Sequence, residues 1–248
     1  MNKLNPHYVV KAYETPEALE KYKNAIIEVG LWKSEEKIIT QFVQTKSPIL
    51  ELGCGVGRVA YNIYKLGYHN ITGVDLSKNM IKEAKKFAKS KNVNINYYVG
   101  DAMKLNLSEN YYDCILFMFN GLMLIPGFDN RLKVLKEVKR ILNKGGYFIF
   151  TSHDINANDD YKSFWDQQKL LWSRGENNKQ LYEYGDLIDS EIVAEDSFIH
   201  FPNNNEILNM ADMLNFEVVF SDFRDNIVEE NEKVKSFSGN TKFWVFKK

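Results

Sequence analysis

The chain has 248 residues, of which 44% are hydrophobic and 26% are charged, a mixture typical of a globular protein. Lysine plus arginine (32) nearly balance aspartate plus glutamate (33), so no global positive field would concentrate a nucleic acid, and such a partner is disfavoured. The sequence has no long apolar run, so no membrane span is expected. Cys54 and Cys114 have neither a C-x-x-C spacing nor histidine partners, which favours a reduced, cytoplasmic setting and no metal.

The amino-terminal part, residues 1–45, predicts a helical cap. Thr15-Pro16-Glu17 combines an N-cap residue, a proline at the first helical position and an acid in the first turn, so a helix is expected from there to Gly30. A second helix is expected after Ser34. We expect the whole chain, 1–248, to form a single domain, which its length allows.

Residues 46–152 alternate short apolar runs with amphipathic helical patterns. Ser77, for example, is the expected N-cap of a helix whose apolar face begins at Met80. Because each parallel crossover needs a helix-sized connection, the alternation predicts a doubly wound α/β fold with helices on both faces of a mostly parallel sheet. The strands are expected at residues 48–52, 71–74, 95–99, 112–119 and 147–151.

The alternation stops after Ser152 and resumes near Glu206. Residues 153–200 are therefore expected to be an insertion on the substrate side of the sheet, acting as a lid. Residues 201–248 are expected to complete the sheet, with a helix at 206–214 and strands at 216–220 and 242–246.

A glycine-rich turn, Glu51-Leu52-Gly53-Cys54-Gly55-Val56-Gly57, joins the first strand to a helix. Glycines there permit positive φ and a close approach of a ligand to the backbone, and the helix start offers free N–H groups. From Gly55 onward the segment also satisfies the dinucleotide pattern, with Asp75 twenty residues further on. A nicotinamide-dependent oxidoreductase is therefore one interpretation.

The order of the motifs indicates another. Ile49 to Gly57 resembles the first motif of the class I S-adenosylmethionine-dependent methyltransferase family, including the acid, Glu51, two positions before the first glycine. The resemblance runs from about Ile49 to Thr151 and implies a Rossmann-like fold with seven strands, an antiparallel strand at the C-terminal edge of the sheet, and S-adenosylmethionine as cofactor. Gly73-Val74-Asp75-Leu76-Ser77 is similar to the second motif, whose acid accepts hydrogen bonds from both ribose hydroxyls.

Two further segments resemble motifs of the same family. Val99 to Met103 is similar to the third, which implies that Asp101 meets the adenine amino group. Tyr112 to Asn120 is similar to the fourth, at the methionine end of the cofactor. The cofactor-binding residues that the resemblance implies are Glu51, Gly53, Cys54, Gly55, Gly57, Asp75, Leu76, Met80, Asp101, Ala102, Met103 and Asn120.

Some of these residues have simpler interpretations. Asn120 precedes Gly121 and suits a turn, and Met80 and Met103 suit core filling equally well. A catalytic candidate is His153, which follows the fifth strand at the edge where ligands bind in such sheets and has Asp154 beside it. It is a candidate to take a proton from an acceptor hydroxyl or amine.

The resemblance implies direct SN2 transfer of the methyl group to an acceptor, leaving S-adenosylhomocysteine. The chain has Phe119-Asn120-Gly121-Leu122 where amino-nucleobase methyltransferases carry an Asn/Asp-Pro-Pro-aromatic motif, so a small-molecule acceptor is favoured. RNA methylation and a non-catalytic cofactor-binding module stay open as alternatives. Acceptor choice is expected from residues 1–45 and the stretch from Asp154 to Ser190, where Trp165 and Trp172 offer rings.

Overall fold

The computed structural model describes residues 3–189 and 197–248. Its strands are β1 Ile49–Leu52, β2 Ile71–Asp75, β3 Asn96–Val99, β4 Tyr112–Phe117, β5 Leu142–Ser152, β6 Asp186–Asp189, β7 Ser197–His200, β8 Glu217–Phe223 and β9 Lys242–Lys247. Its helices are α1 Pro6–Tyr13, α2 Pro16–Glu28, α3 Lys33–Phe42, α4 Arg58–Lys65, α5 Lys78–Ser90, α6 Phe128–Ile141, α7 Asp159–Ser173, α8 Asn204–Met213, α9 Arg224–Ile227 and α10 Glu232–Phe237. A 3-10 turn spans Gly121–Leu124. No described helix is long and apolar enough to cross a membrane.

The main sheet has seven strands in the order β3-β2-β1-β4-β5-β9-β8. The first five of these pair in parallel with their neighbours, whereas β9 runs antiparallel to both β5 and β8. The predicted doubly wound, mostly parallel sheet is therefore confirmed. Its antiparallel strand is β9, with β8 outside it at the C-terminal edge.

Helices cover both faces of the sheet, and the side chains of a buried strand alternate between the two cores that result. Leu50 of β1 packs into one core with Leu135 of α6, and its neighbour Ile49 packs into the other core with Ile63 of α4. All of β1 is buried as a result. The continuous apolar character of Ile49–Leu52 follows from this position in the middle of a parallel sheet.

The amino-terminal cap contains a helix, α1, that the sequence analysis did not predict. Its N-cap Asn5 accepts a hydrogen bond from the Tyr8 N–H at 3.0 Å, and Pro6 occupies the first helical position. This is the same signal as Thr15-Pro16, which correctly marks the start of α2. The eight-residue length of α1 leaves too little periodicity to reveal it otherwise.

Strand β4 ends at Phe117, two residues earlier than predicted. Phe119 and Asn120 adopt φ values of 55° and 60°, so the chain enters the left-handed region and cannot continue the strand. The 3-10 turn follows at once. The carboxyl end of β4 therefore carries a sharp turn beside the end of β1.

The insertion predicted at residues 153–200 contains α7 and an antiparallel pair, β6 with β7. Part of it, residues 190–196 including Ser190, lies outside the described residues, as do residues 1–2 of the amino-terminal cap. Trp165 of α7 is only 3% exposed and packs against Tyr184 and Phe201. The described part of the insertion thus has a buried core that is continuous with one face of the sheet.

Candidate functional site

A cavity lies at the carboxyl ends of β1, β2, β3 and β4, where ligands bind in open α/β sheets. Helices α1, α2 and α10 contribute the side chains that complete its wall. Nine of the twelve predicted cofactor-binding residues line it: Glu51, Gly53, Cys54, Gly55, Asp75, Leu76, Met80, Asp101 and Ala102. The other lining residues are Pro6, Val9, Val10, Tyr13, Tyr22, Leu52, Val56, Arg58, Val59, Val74, Ser77, Gly100, Phe117, Met118, Phe119, Gly121, Leu124, Ile125 and Phe237.

The glycine turn after β1 needs glycine for two different reasons. Gly55 has φ 53°, and a Cβ built there would meet nothing within 4 Å, so this position opens onto free space. Gly57 has φ 89°, and a Cβ there would lie 2.3 Å from the Tyr97 hydroxyl. Gly57 is the N-cap of α4 and does not line the cavity, so the structure gives it a backbone role.

Glu51 stabilises the end of this turn, where α4 begins. Its side chain is buried, and its Oε2 accepts a hydrogen bond at 2.9 Å from the N–H of Ala60 in the first turn of α4. Because the N-cap Gly57 has no side chain, Glu51 supplies the acceptor that a capping residue would normally provide. Burial raises the pKa of Glu51 to about 8, although the Arg58 charge and the Ala60 N–H oppose the shift.

Asp75, at the end of β2, joins the two neighbouring loops. Its Oδ2 accepts a hydrogen bond from the Gly55 N–H at 2.8 Å and its Oδ1 accepts one from the Ser77 N–H at 2.8 Å. Burial raises the pKa of Asp75, and these two N–H groups oppose the shift. The carboxylate is thus fixed at the cavity wall, with Leu76 beside it. Met80 also lines the cavity and packs against Val56.

Asp101 follows β3 and lines the same cavity. Its Oδ1 accepts a hydrogen bond at 2.8 Å from the N–H of Met103, which fixes the turn. Ala102 lines the cavity, but Met103 does not and packs against the core on one face of the sheet. The core-filling interpretation of Met103 therefore agrees with its surroundings, whereas Met80 serves both the core and the cavity.

Asn120 and His153 contact each other rather than the cavity. The Asn120 Nδ2 lies 3.1 Å from the His153 Nε2, and neither residue is part of the lining. Burial, and to a smaller extent the Arg224 charge, lowers the pKa of His153 to about 4, so its ring is neutral at pH 7. Within the described residues, the Asn120 Oδ1 and the His153 Nδ1 have no hydrogen-bond partner. The catalytic role of His153 stays a prediction.

Sequence reasoning missed a buried ion pair at the cavity wall. Arg58 of α4 lines the cavity, and its Nη1 and Nη2 donate to the two carboxylate oxygens of Glu35 at 2.7 and 2.6 Å. The same Nη1 donates to the Gly30 carbonyl at 2.8 Å, and the guanidinium lies 5.2 Å from the Trp32 ring centre. Arg58 follows the glycine turn directly, but nothing local in the sequence identifies its partner.

Four aromatic side chains of the cavity wall were also missed. The Tyr22 ring centre lies 6.0 Å from that of Tyr13, 6.1 Å from that of Phe119 and 6.2 Å from that of Phe237. Burial raises the pKa of both tyrosines, so both phenols are neutral. The high aromatic content of the sequence indicated that some rings could line a pocket, but it did not identify which rings face the cavity.

No described residue of the insertion lines the cavity, and Trp165 and Trp172 lie in hydrophobic clusters instead. Within the insertion, the side chains of Glu183, Asp186 and His200 place possible metal-ligating atoms within 4.8 Å of one another. Arg131 forms an ion pair with Glu183 at 2.9 Å, and the His200 Nδ1 bonds to Asp186 at 2.7 Å. These carboxylates are therefore already paired with side chains of the protein.

Comparison with known proteins agrees with the motifs. Residues 49–146 match a family described as a methyltransferase domain. Over 109 residues the chain is 35% identical to demethylmenaquinone methyltransferase from Staphylococcus haemolyticus, covering 43% of this chain and 44% of that protein. It is 26% identical over 122 residues to 2-methyl-6-phytyl-1,4-hydroquinone methyltransferase from Synechocystis, covering 48% and 36%. The chain thus spans less than half the length of these two curated relatives.

Solved structures share the fold over nearly the whole chain. An S-adenosylmethionine-dependent methyltransferase from Methanosarcina mazei aligns with a TM-score of 0.69 at 20% identity, covering 88% of this chain and 98% of that one. Magnesium protoporphyrin IX methyltransferase from Synechocystis, solved with bound S-adenosylhomocysteine, aligns with a TM-score of 0.64 at 11% identity, covering 98% and 99%. The motifs, the sheet order and the family match together identify residues 49–146 as a methyltransferase domain of the class I S-adenosylmethionine-dependent family.

Proposed function

We propose that this protein binds S-adenosylmethionine in the cavity and transfers its methyl group to a small-molecule acceptor. One observation carries the proposal: Asp75 and Asp101, which follow two neighbouring strands, line the same cavity as the open glycine turn at Gly55. A nicotinamide-binding site shares the turn and the first acid, but the family match at residues 49–146 favours the methyltransferase.

The residues present fit the cofactor. An ionised carboxylate has about four lone-pair directions, and each oxygen of Asp75 uses one for a backbone N–H. The Leu76 N–H also bonds to this carboxylate, so acceptor capacity remains for a ribose hydroxyl. Asp101 likewise uses one oxygen for the Met103 N–H, which leaves the other for the adenine amino group. Gly55 opens onto free space, so a ligand can approach its backbone.

Bound S-adenosylmethionine would supply a methyl group on a positively charged sulfur, so that the acceptor–carbon bond forms as the carbon–sulfur bond breaks and the electron pair stays on sulfur. The protein's contribution is then alignment and exclusion of water. The partly buried aromatic side chains of the wall suit the second task. His153 is our candidate to take the acceptor's proton, although a pKa of about 4 makes it a weak base.

A small-molecule acceptor is supported by the names of two relatives and one neighbour, which refer to demethylmenaquinone, 2-methyl-6-phytyl-1,4-hydroquinone and magnesium protoporphyrin IX. It also agrees with the cavity, since Arg58 is the only cationic side chain of its described lining and is paired with Glu35. A nucleic-acid acceptor would require unpaired cations near the site to hold phosphates.

The test is calorimetric titration of S-adenosylmethionine into the wild type and into Asp75→Asn. A charge-assisted hydrogen bond contributes about 1.5–3 kcal/mol, so the variant is expected to bind at least about tenfold more weakly. The control is Asp212→Asn on the exposed surface of α8, which removes the same charge away from the cavity. Equal affinity in the wild type and Asp75→Asn, with the variant still folded, would contradict the proposal.

A further inference from the structure

Side chains from the amino-terminal helices, from α10 and from the turns after β4 give the cavity a largely apolar wall. We call it the outer wall and define it as Val9, Tyr13, Tyr22, Phe119, Leu124 and Phe237, all of which line the cavity. Val9, Tyr13 and Leu124 pack in one hydrophobic cluster, and Phe119 lies 5.2 Å from Phe237 between ring centres. The outer wall is built from α1, α2, α10 and the two turns after β4.

The charges that line the cavity are all engaged within the protein. Arg58, the only cation of the described lining, gives both terminal nitrogens to Glu35. Glu51, Asp75 and Asp101 each accept backbone N–H groups and come from the strand ends, not from the outer wall. The described lining therefore offers no unpaired cation to bind an anionic acceptor, and the outer wall offers no carboxylate to bind a cationic acceptor.

The polar atoms of the outer wall are the hydroxyls of Tyr13 and Tyr22. Neither is hydrogen-bonded to any residue in the described part of the chain. The two rings are neighbours, with their centres 6.0 Å apart. A neutral phenol donates one hydrogen bond and accepts others, which matches a hydroxyl or carbonyl oxygen.

We propose that the methyl acceptor is an uncharged molecule with a flat apolar ring system, which packs on the rings of the outer wall, and with an oxygen that the Tyr22 hydroxyl binds. The inference rests on the proposed methyl transfer and specifies its substrate class. Four of the six residues of the outer wall carry rings, which favours an aromatic ring over an aliphatic chain, because an aromatic pair gains free energy beyond the area that it buries. Tyr22 is thereby a specificity-determining residue.

The experiment uses three ligands that share one ring and differ in charge: 1-naphthalenemethanol, 1-naphthoate and 1-naphthylmethylammonium. Equilibrium dialysis at pH 7 measures their binding to the full chain saturated with S-adenosylhomocysteine. We expect the neutral alcohol to bind at least about tenfold more tightly than either ion, because the outer wall offers no charged partner to a desolvated ion. Binding of S-adenosylhomocysteine itself is measured first, and its failure would contradict the proposed function instead.

The variant Tyr22→Phe keeps the ring and removes the hydroxyl. It is expected to weaken binding of the alcohol by about threefold to tenfold, the range of one neutral hydrogen bond. Tyr61→Phe is the matched control, since the Tyr61 ring packs on Phe87 at 4.9 Å and does not line the cavity. Equal or tighter binding of either ion would overturn the inference. So would absence of alcohol binding to a protein that binds S-adenosylhomocysteine, or an unchanged affinity in Tyr22→Phe.

Discussion

Glu35→Gln tests the buried ion pair that joins the amino-terminal cap to the cavity wall. The Glu35 carboxylate has no exposed area and accepts three hydrogen bonds: from Arg58 Nη1 at 2.7 Å, from Arg58 Nη2 at 2.6 Å and from the Trp32 N–H at 2.9 Å. The amide of glutamine retains one acceptor oxygen but directs an NH₂ group at the guanidinium. Arg58 is then a buried cation without its counter-charge.

Breaking one side of a buried pair typically costs about 3–5 kcal/mol, because the remaining charge stays desolvated. Glutamine keeps one of the acceptors and Arg58 keeps the Gly30 carbonyl, so the low end of the range, about 3 kcal/mol, applies here. For a chain of this size 1 kcal/mol corresponds to about 2–4 °C in Tm. The expected loss in Tm is therefore about 6–12 °C.

Urea unfolding followed by circular dichroism measures the free energy of unfolding of Glu35→Gln. The control is Glu36→Gln at the next position, where the side chain is exposed and the same charge is removed. It should change the free energy of unfolding by less than about 0.5 kcal/mol. A loss below about 1 kcal/mol in Glu35→Gln, or an equal loss in both variants, would refute the reasoning, since the ion pair would then contribute no more than a surface charge.

Three further predictions concern the turn, the pH dependence and the ligand. Gly57→Ala should destabilise the fold more than Gly67→Ala, because both positions have positive φ but only the Cβ at Gly57 meets the Tyr97 hydroxyl, at 2.3 Å; urea unfolding compares them. Burial lowers the pKa of His200, yet its hydrogen bonds to Asp186 and Glu206 raise the pKa overall. The protonated ring therefore stabilises the folded state below pH 6.5, and this stabilisation is lost as the pH rises through the raised pKa. The difference in free energy of unfolding between wild type and His200→Gln should accordingly narrow above pH 6.5. S-adenosylhomocysteine should raise the Tm of the wild type and NAD should not, and the opposite result in a thermal shift assay would favour the nicotinamide interpretation.

The elements that the sequence predicted well are those with a strong local pattern. The strands from β1 to β5 and the helices between them follow from apolar runs and from caps such as Ser77, whose Oγ accepts the Met80 N–H at 3.1 Å. The end of β4 was missed because Phe119 has φ 55°, and a phenylalanine in the sequence does not indicate the left-handed region. Helices α7 and α10 were missed because each has few buried apolar residues, and so only a weak helical pattern.

The residues of the candidate site likewise fall into those that a local sequence pattern predicted and those that depend on how the helices pack. Asp75, the last residue of β2, and Asp101, which follows β3, were assigned to the cofactor because their segments resemble motifs of the family, and both line the cavity because parallel strands end at one edge of the sheet. The outer wall depends instead on where α1, α2 and α10 pack after folding. Sequence reasoning chose Trp165 as a ring for the acceptor, but Trp165 is buried in a core and Tyr22 lines the cavity. A ring's type does not reveal which surface it faces.

The beginning of α3 connects the glycine turn with the outer wall of the cavity. Glu35 bonds to Arg58 beside the glycine turn, while the buried Glu230, which precedes α10, accepts hydrogen bonds from the Ser34 N–H at 2.7 Å and the Lys33 N–H at 3.2 Å. Two carboxylates thus satisfy the free N–H groups and the positive end of one helix. Because α10 carries Phe237 of the outer wall, the same helix end fixes both the glycine turn and the outer wall. The two sides of the cavity are therefore held relative to each other by buried polar bonds, which is the arrangement that alignment of two substrates requires.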